Sequence, residues 1–222
     1  MCGRFAMTLP SKKAMARFNI KEEIDLAPRH NIAPSQHVAV VRAAEPKQNE
    51  LVMMRWGLIP SWAKEENSGY KMINAKAETV AEKPAFKAAF KKHRCLIPAS
   101  GFYEWKAEGT ARQPYFIRMK DESLFGFAGL WERWEGKAGN AIESVTIITT
   151  EANSLIGEIH DRMPVIIGRK NYNLWLNPEP LSSDNMNLLN PFDPDQLTLY
   201  PVSKTVNNPK NDTPECFERA DG

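Results

Sequence analysis

The segments YFIRM at residues 115–119 and LFGFAGLW at residues 124–131 decide the fold class of this chain. Both are short runs of branched and aromatic residues separated by a polar turn, a pattern typical of β-strands. Similar runs occupy residues 37–42, 51–56, 145–149, 164–167 and 197–202. Because these strands do not alternate regularly with helices, we predict an α+β fold: a single compact domain with a mixed or barrel-like β-sheet core and flanking short helices.

Helical spacing of apolar residues predicts three helices around this sheet. The first covers residues 11–18, and the second begins near Pro84, a residue that the first turn of a helix tolerates. Thr150 can cap a third helix that ends at His160. Residues 29–33 lie between two prolines and are predicted to form a loop.

Length and composition restrict the class of protein. The chain has 222 residues, of which 42% are hydrophobic and 25% charged. This mixture is typical of a globular protein and excludes disordered and collagen-like chains. The 29 basic and 27 acidic side chains leave a net charge of +2, which excludes a strongly basic DNA-coating protein. A nucleic-acid site would therefore be a local basic patch. We also expect a monomer.

The chain has three cysteines, Cys2, Cys95 and Cys216, without the spacing of a metal site. This odd number speaks against a disulfide framework and against structural zinc. The N-terminus starts no apolar run of the length of a signal-peptide core, and no later run approaches the length of a membrane span, so we expect a cytoplasmic protein. The sequence has no nucleophile-elbow motif of serine hydrolases, no P-loop of nucleotide triphosphatases and no paired Cys or His motif of zinc enzymes, so these three classes are disfavoured.

Cys2 is a candidate nucleophile because trimming of Met1 would give it a free amine beside its thiol. The ordinary pKa values of these groups are about 8 and about 8.5, so both are partly available near neutral pH. Together they can trap an aldehyde as a five-membered thiazolidine ring. The alternative is a small residue in a buried terminus.

Two titratable residues are candidates for proton transfer. Glu104 lies between aromatic residues whose burial of the carboxylate would raise its pKa. The alternative is a solvent-facing residue on a strand. His160 is followed by Asp161 and Arg162 and would titrate near neutrality, although a structural histidine is equally compatible with the sequence.

Other polar and aromatic residues are candidates for binding. The Asn74 amide could orient a substrate group, or simply form a turn. Lys83, Lys87, Lys91 and Arg94 recur at helical spacing and form a basic stripe that could meet phosphates or only face solvent. We expect Trp56 in the core and Trp62 at the surface, where it could stack on a base.

Seven motifs occur in order: CGRF at 2–5, NIAP at 31–34, RWGLIP at 55–60, NAKAET at 74–79, FYEW at 102–105, HDRMP at 160–164 and VNNPK at 206–210. With these motifs the chain resembles the SOS-response-associated peptidase (SRAP) family of abasic-site processing proteins. The resemblance covers residues 1–212, which we take as one SRAP-like domain. Residues 213–222 are expected to form a poorly ordered tail.

The resemblance implies a protein of the DNA damage response that binds single-stranded DNA. It implies a thiazolidine crosslink between Cys2, after loss of Met1, and the ring-opened aldehyde of an abasic site. Asn74 would position the amine or the sugar, Glu104 would shuttle protons, and His160 would assist opening and closing of the deoxyribose. Neither a cofactor nor a metal is implied.

The resemblance also implies the DNA-binding residues, which are Arg4, Asn31, Pro34, Trp62, Lys76 and Thr149. Arg4 and Lys76 would hold the flanking phosphates, and Trp62 would stack on a neighbouring base. Lys76 departs from the usual arginine of the family and loses its bidentate geometry. β-Lyase activity, reversal of the crosslink and self-removal of Met1 are further expectations.

Two alternatives remain open at this point. The first is a thiol peptidase or amidohydrolase in which Cys2 is an acyl-transfer nucleophile and His160 its base. The second is a non-catalytic binder of single-stranded DNA, in which Cys2 has no role.

Overall fold

A computed structural model describes residues 2–8, 11–22, 24–45, 48–136 and 139–220. The α-helices are α1 (Ser11–Phe18), α2 (Lys87–Lys92) and α3 (Tyr172–Leu176). The strands are β1 (Phe5–Met7), β2 (Arg29–Ile32), β3 (His37–Glu45), β4 (Gln48–Trp56), β5 (Asn74–Lys76), β6 (Arg94–Ala99), β7 (Gly101–Glu108), β8 (Ala111–Met119), β9 (Phe125–Glu135), β10 (Ala141–Glu151), β11 (Arg162–Pro164), β12 (Ile166–Ile167) and β13 (Leu197–Pro201). Short 3-10 helices cover Glu66–Lys71, Ile156–Glu158, Arg169–Asn171, Ser183–Leu189, Pro194–Gln196, Lys204–Asn207 and Pro214–Phe217.

Five strands close into a barrel, in the order β10, β4, β3, β6, β9 and back to β10. Val145 of β10 closes the ring because it pairs with Trp56 of parallel β4 on one side and with Trp131 of antiparallel β9 on the other. Trp56, Leu96 and Val145 belong to one buried apolar cluster. The predicted α+β class and barrel-like core are confirmed, as is the burial of Trp56.

A second sheet lies beside the barrel, in the order β13, β8, β7, β1, β2. The chain passes from the barrel strand β6 into β7 at Ser100, whose backbone N–H donates to the Ala6 carbonyl at 2.8 Å. The next residue must be glycine, because a Cβ at Gly101 would lie 2.6 Å from the Ile117 carbonyl oxygen. This close crossing holds β1, and with it the start of the described chain, against β7.

Two sequence predictions of local structure are wrong. Residues 29–33 were expected to be a loop, but residues 29–32 form β2, in which Ile32 pairs with Phe5 of β1. The helix expected after Thr150 is absent from the described residues 150–160, because Thr150 continues β10 and pairs with Met163 of β11. Only the single turn Ile156–Glu158 follows.

The helix expected over residues 11–18 is confirmed, and the one expected near Pro84 begins at Lys87. Within the segment expected as a tail, residues 213–220 are described. There Cys216 is fully buried, and Arg219 forms a bridge with Val202. The boundary at residue 212 stays a prediction. Among the described residues, no helix has the length and apolar character needed to cross a membrane.

Candidate functional site

The pairing of β1 with β7 brings Cys2 to Glu104. Phe5 pairs with Phe102, and the Tyr103 backbone N–H donates to the Arg4 carbonyl at 3.0 Å. Because the strands are antiparallel, the chain before Arg4 continues alongside Glu104 and the residue after it. Cys2 is fully buried there, so the register of two strands places a thiol beside a carboxylate.

Burial dominates the electrostatics of this pair. It raises the pKa of the Cys2 thiol far above its ordinary value, and the nearby Glu104 carboxylate raises that pKa further. Glu104 is 3% exposed, as its aromatic neighbours predicted. Burial raises its pKa from 4.5 to about 7, although the positive charge of the amino terminus opposes the rise. A carboxyl group with this pKa can both accept and release protons near neutral pH.

Asn74 and Thr149 lie on adjacent strands of the barrel wall. Asn74 begins β5, which runs parallel to β10 and pairs Lys76 with Thr149. Both polar atoms of the Asn74 amide and the Thr149 hydroxyl are buried, and none has a hydrogen-bond partner among the described residues. Buried polar groups of folded proteins are nearly always satisfied, so these atoms are suited to bind a polar ligand.

His160 follows the Ile156–Glu158 turn, which the Asn153 side chain begins by accepting a hydrogen bond from the Ile156 N–H at 2.9 Å. The Arg162 backbone N–H donates to His160 Nδ1 at 2.9 Å. Burial lowers the pKa of His160, and the positive charge of the amino terminus lowers it further. The neighbouring Asp161 carboxylate contributes to the raised pKa of Glu104, which links this turn to the Cys2 pair.

Arg162 connects His160 to the strands that carry Thr149 and Lys76. Its guanidinium donates to both oxygens of Glu78, at 2.6 Å and 3.0 Å, and to the Thr149 carbonyl at 2.7 Å. From sequence alone, neither Arg162 nor Glu78 was predicted to have a role. Since the two lie 84 residues apart, no local pattern could have joined them.

The structure separates the predicted DNA-binding residues into two groups. Arg4 donates to the Asn31 side-chain oxygen and to the Val206 carbonyl, each at 2.7 Å. Asn31 is fully buried, and its amide donates to backbone carbonyls of the segment after Val206. Arg4 and Asn31 therefore support the second sheet, and Pro34, which follows the end of β2, is partly exposed.

Lys76 and Trp62 form the exposed group. Trp62 is 65% exposed, as expected, and Lys76 extends from β5 into solvent beside Asn74. The basic stripe is only partly present, because Arg94 is buried and all its hydrogen bonds go to backbone carbonyls. The stripe lysines, which are Lys83, Lys87 and Lys91, face solvent.

The described residues contain no group of three or more His, Cys, Asp or Glu side chains that could hold a metal ion. The site consists instead of a buried thiol, a carboxyl group with a pKa near 7, an imidazole with a lowered pKa and unsatisfied amide and hydroxyl groups. Such a set can perform nucleophilic addition with proton transfer.

Comparison with known proteins identifies the family. The sequence profile of the SOS response associated peptidase (SRAP) family matches residues 1–209. Abasic site processing protein YoqW of Bacillus subtilis (strain 168) is 45% identical over 98% of this chain and 99% of its own length. Abasic site processing protein HMCES of Xenopus tropicalis is 35% identical over 86% of this chain and 65% of its own length.

A crystal structure of a protein from Bacteroides thetaiotaomicron has the same fold, with a TM-score of 0.88 and 30% identity over 99% of this chain and 100% of that one. The family profile covers every candidate site residue, and the matches to YoqW and to this structure extend over 98% and 99% of this chain. The chain therefore belongs to the SOS response associated peptidase (SRAP) family, together with proteins named abasic site processing proteins.

Proposed function

We propose that this protein captures abasic sites in single-stranded DNA by forming a thiazolidine with Cys2. The observation that carries the proposal is the pairing of Cys2 with the buried Glu104, whose pKa is about 7. We further propose that it acts in the cytoplasm as a monomer in the DNA damage (SOS) response, where the adduct would protect the lesion from strand cleavage.

The proposed reaction begins once Met1 is removed and Cys2 carries the free α-amine. The amine attacks the aldehyde carbon of the ring-opened deoxyribose, and the resulting carbinolamine loses one water to give a Schiff base. The Cys2 sulfur then adds to the same carbon, and the thiol proton is transferred to the nitrogen. One water is released in total, and neither an oxidant nor a reductant is needed.

Each neighbouring side chain has a proposed part in this sequence. Glu104 accepts a proton from the amine and returns it to the departing hydroxyl, a task suited to its pKa of about 7. The unsatisfied amide of Asn74 orients the amine or the sugar. His160 assists opening and closing of the deoxyribose ring. Thr149, whose hydroxyl is also unsatisfied, contacts the lesion.

The strand itself would be held at the surface around the site. We propose that Lys76 contacts a flanking phosphate and that Trp62 stacks on a neighbouring base. Pro34 would line the groove. Arg4 would contact a phosphate only with a guanidinium nitrogen not used by Asn31 and Val206, and Asn31 would contribute to the groove by holding Arg4.

Three accompanying activities belong to the proposal. A Schiff base acidifies the adjacent sugar carbon, so β-elimination can compete with ring closure. Glu104 or His160 can protonate the thiazolidine sulfur and reopen the ring to the Schiff base, and addition of one water would then release the aldehyde and the Cys2 amine and reverse the crosslink. The same two groups could assist the protein in removing its own Met1.

The geometry supports the thiol peptidase less well. Because His160 Nδ1 accepts the Arg162 N–H, a neutral imidazole carries its proton on Nε2 and offers no base there. The Cys2 thiol also has a strongly raised pKa, unlike that of an activated acyl-transfer nucleophile. In a non-catalytic binder, the placement of the Cys2 thiol beside the Glu104 carboxyl group would have no role.

Replacement of Cys2 tests the proposal. A single-stranded oligonucleotide with one abasic site is incubated with wild type, Cys2→Ala and Cys2→Ser, and adducts are counted on a denaturing gel. We expect a stable adduct with wild type, none with Cys2→Ala, and with Cys2→Ser only a Schiff base that borohydride must trap. Cys95→Ala, at a cysteine buried in the barrel, is the matched control and should behave as wild type. Capture by Cys2→Ala would refute the proposal.

A further inference from the structure

We propose that Arg162, clamped by Glu78, is a positioning residue that fixes the tautomer of His160 so that Nε2 presents an N–H to the site. The meaning of this N–H for catalysis rests on the proposed function, in which it would donate to the ring oxygen of the abasic deoxyribose. The tautomer itself does not depend on any reaction.

The ion pair between Arg162 and Glu78, called the clamp below, lies where three strands are in register. Lys76 of β5, Thr149 of β10 and Pro164 of β11 are in register. The guanidinium of Arg162 lies across them, with two hydrogen bonds to Glu78 just after β5 and one to the Thr149 carbonyl of β10. A guanidinium held by two parallel bonds to one carboxylate has a fixed orientation, which a single ion pair lacks.

The environment of this pair makes it more than a surface contact. The Arg162 side chain is 15% exposed, whereas Glu78 is 50% exposed. The hydrogen bond from Arg162 lowers the pKa of Glu78, so the carboxylate is charged throughout the neutral range. The largely buried guanidinium would otherwise lack its counter-charge, which makes loss of Glu78 costly to the position of Arg162.

The main chain of Arg162 transmits this position to His160. The Arg162 N–H donates to His160 Nδ1 at 2.9 Å, and Arg162 itself pairs with Glu151 of β10. A neutral imidazole has one N–H, so an Nδ1 that accepts requires the proton on Nε2. The lowered pKa of His160 keeps the ring neutral near pH 7.

Asp161 is the competing group. Its Oδ1 also lies 2.9 Å from His160 Nδ1 and would favour the opposite tautomer, with the proton on Nδ1. However, the Asp161 side chain is 87% exposed, so water competes for its carboxylate. The backbone amide is fixed by the clamp and by the strand ladder, and therefore it determines the tautomer.

Nitrogen NMR of the imidazole rings tests the proposal directly. The protein has four histidines, so the His160 signals are assigned with His160→Gln in protein labelled with 15N at histidine. We expect a pyridine-like Nδ1 and a pyrrole-like Nε2 in wild type above pH 7. Asp161→Asn should keep this pattern, and Glu78→Gln should shift it toward a mixture of tautomers. A pyrrole-like Nδ1 in wild type, or an unchanged pattern in Glu78→Gln, would overturn the inference.

Single-turnover capture of an abasic oligonucleotide provides the second readout. Glu78→Gln should lower the rate at saturating DNA about tenfold, while the DNA concentration for half-maximal rate changes less than about twofold. Glu82→Gln is the matched control, because this exposed carboxylate lies on the same connection between β5 and α2. If wild type shows the expected tautomer but captures no DNA, the proposed function fails and the positioning inference stands. If wild type captures DNA but shows the opposite tautomer, the positioning inference fails and the proposed function stands.

Discussion

Glu104 should make the stability of the folded protein fall as pH rises. The carboxyl group is buried, and burial raises its pKa from 4.5 to about 7. Between these values the folded protein holds a proton that the unfolded chain has released. Because the folded state binds more protons in this window, the free energy of unfolding decreases as pH rises through it.

The size of the effect follows from the displacement of the pKa. Each pKa unit corresponds to about 1.4 kcal/mol, so wild type should lose about 3 kcal/mol between about pH 4.5 and about pH 8 through this group. Glu104→Gln keeps the shape of the protonated side chain and removes its titration. Relative to wild type, the variant should therefore gain about 3 kcal/mol over the same range.

Urea unfolding measured at several pH values provides the test. The difference in unfolding free energy between Glu104→Gln and wild type cancels the other titrating groups, which both proteins share. Glu108→Gln, which changes an exposed carboxylate on the same strand, is the matched control for loss of a carboxylate. A pH-independent difference for Glu104→Gln, or one that shifts in favour of wild type as pH rises, would refute the reasoning.

Four further predictions follow from other residues. The Arg94 guanidinium donates to buried backbone carbonyls, such as that of Trp175 at 2.9 Å, and Arg94→Leu would leave these carbonyls without a donor. The variant should therefore lose at least about 3 kcal/mol of unfolding free energy, measured by urea unfolding. A loss below about 1 kcal/mol would contradict this prediction. Gly101→Ala should lower stability by about 1 to 3 kcal/mol because its Cβ would meet Ile117, whereas Gly157→Ala, which meets open space, should change it by less than about 0.5 kcal/mol. Trp62→Ala should weaken binding of single-stranded DNA by about 1 to 3 kcal/mol in a fluorescence titration and leave the melting temperature unchanged; unaltered affinity would remove Trp62 from the interface. Lys76→Arg should tighten DNA binding without changing the slope of affinity against salt, because the charge is conserved and only the bidentate geometry is gained; a changed slope would show that another contact has moved.

Hydrophobic patterning predicted four of the five barrel strands, which are β3, β4, β9 and β10, and the helix over residues 11–18, but it did not predict the barrel strand β6. It missed β2 because residues 29–32, RHNI, are mostly polar, and only pairing with β1 makes them a strand. It also predicted a helix beginning at Thr150, although that residue continues β10 and pairs with Met163 of β11. Both errors have one cause, since contacts distant in sequence decided the local conformation.

The sequence predicted the chemistry of the candidate site and the burial or exposure of two of its residues, but not the contacts that hold it. Aromatic neighbours indicated the burial of Glu104, and the position after Pro60 indicated the exposure of Trp62. Burial of Asn31 beneath the segment after Val206 was not predictable, because its partners lie about 175 residues away. The clamp between Glu78 and Arg162 was hidden for the same reason, although both residues belong to recognised motifs.

The most direct test of the proposed function is the intact mass of the protein after incubation with a single-stranded oligonucleotide that carries one abasic site, with an undamaged oligonucleotide as control. The proposal predicts an adduct equal in mass to the protein without Met1 plus the oligonucleotide minus one water, formed only with the lesion and mapping to Cys2. Absence of this adduct from folded protein that has lost Met1, or an adduct on another residue, would contradict it.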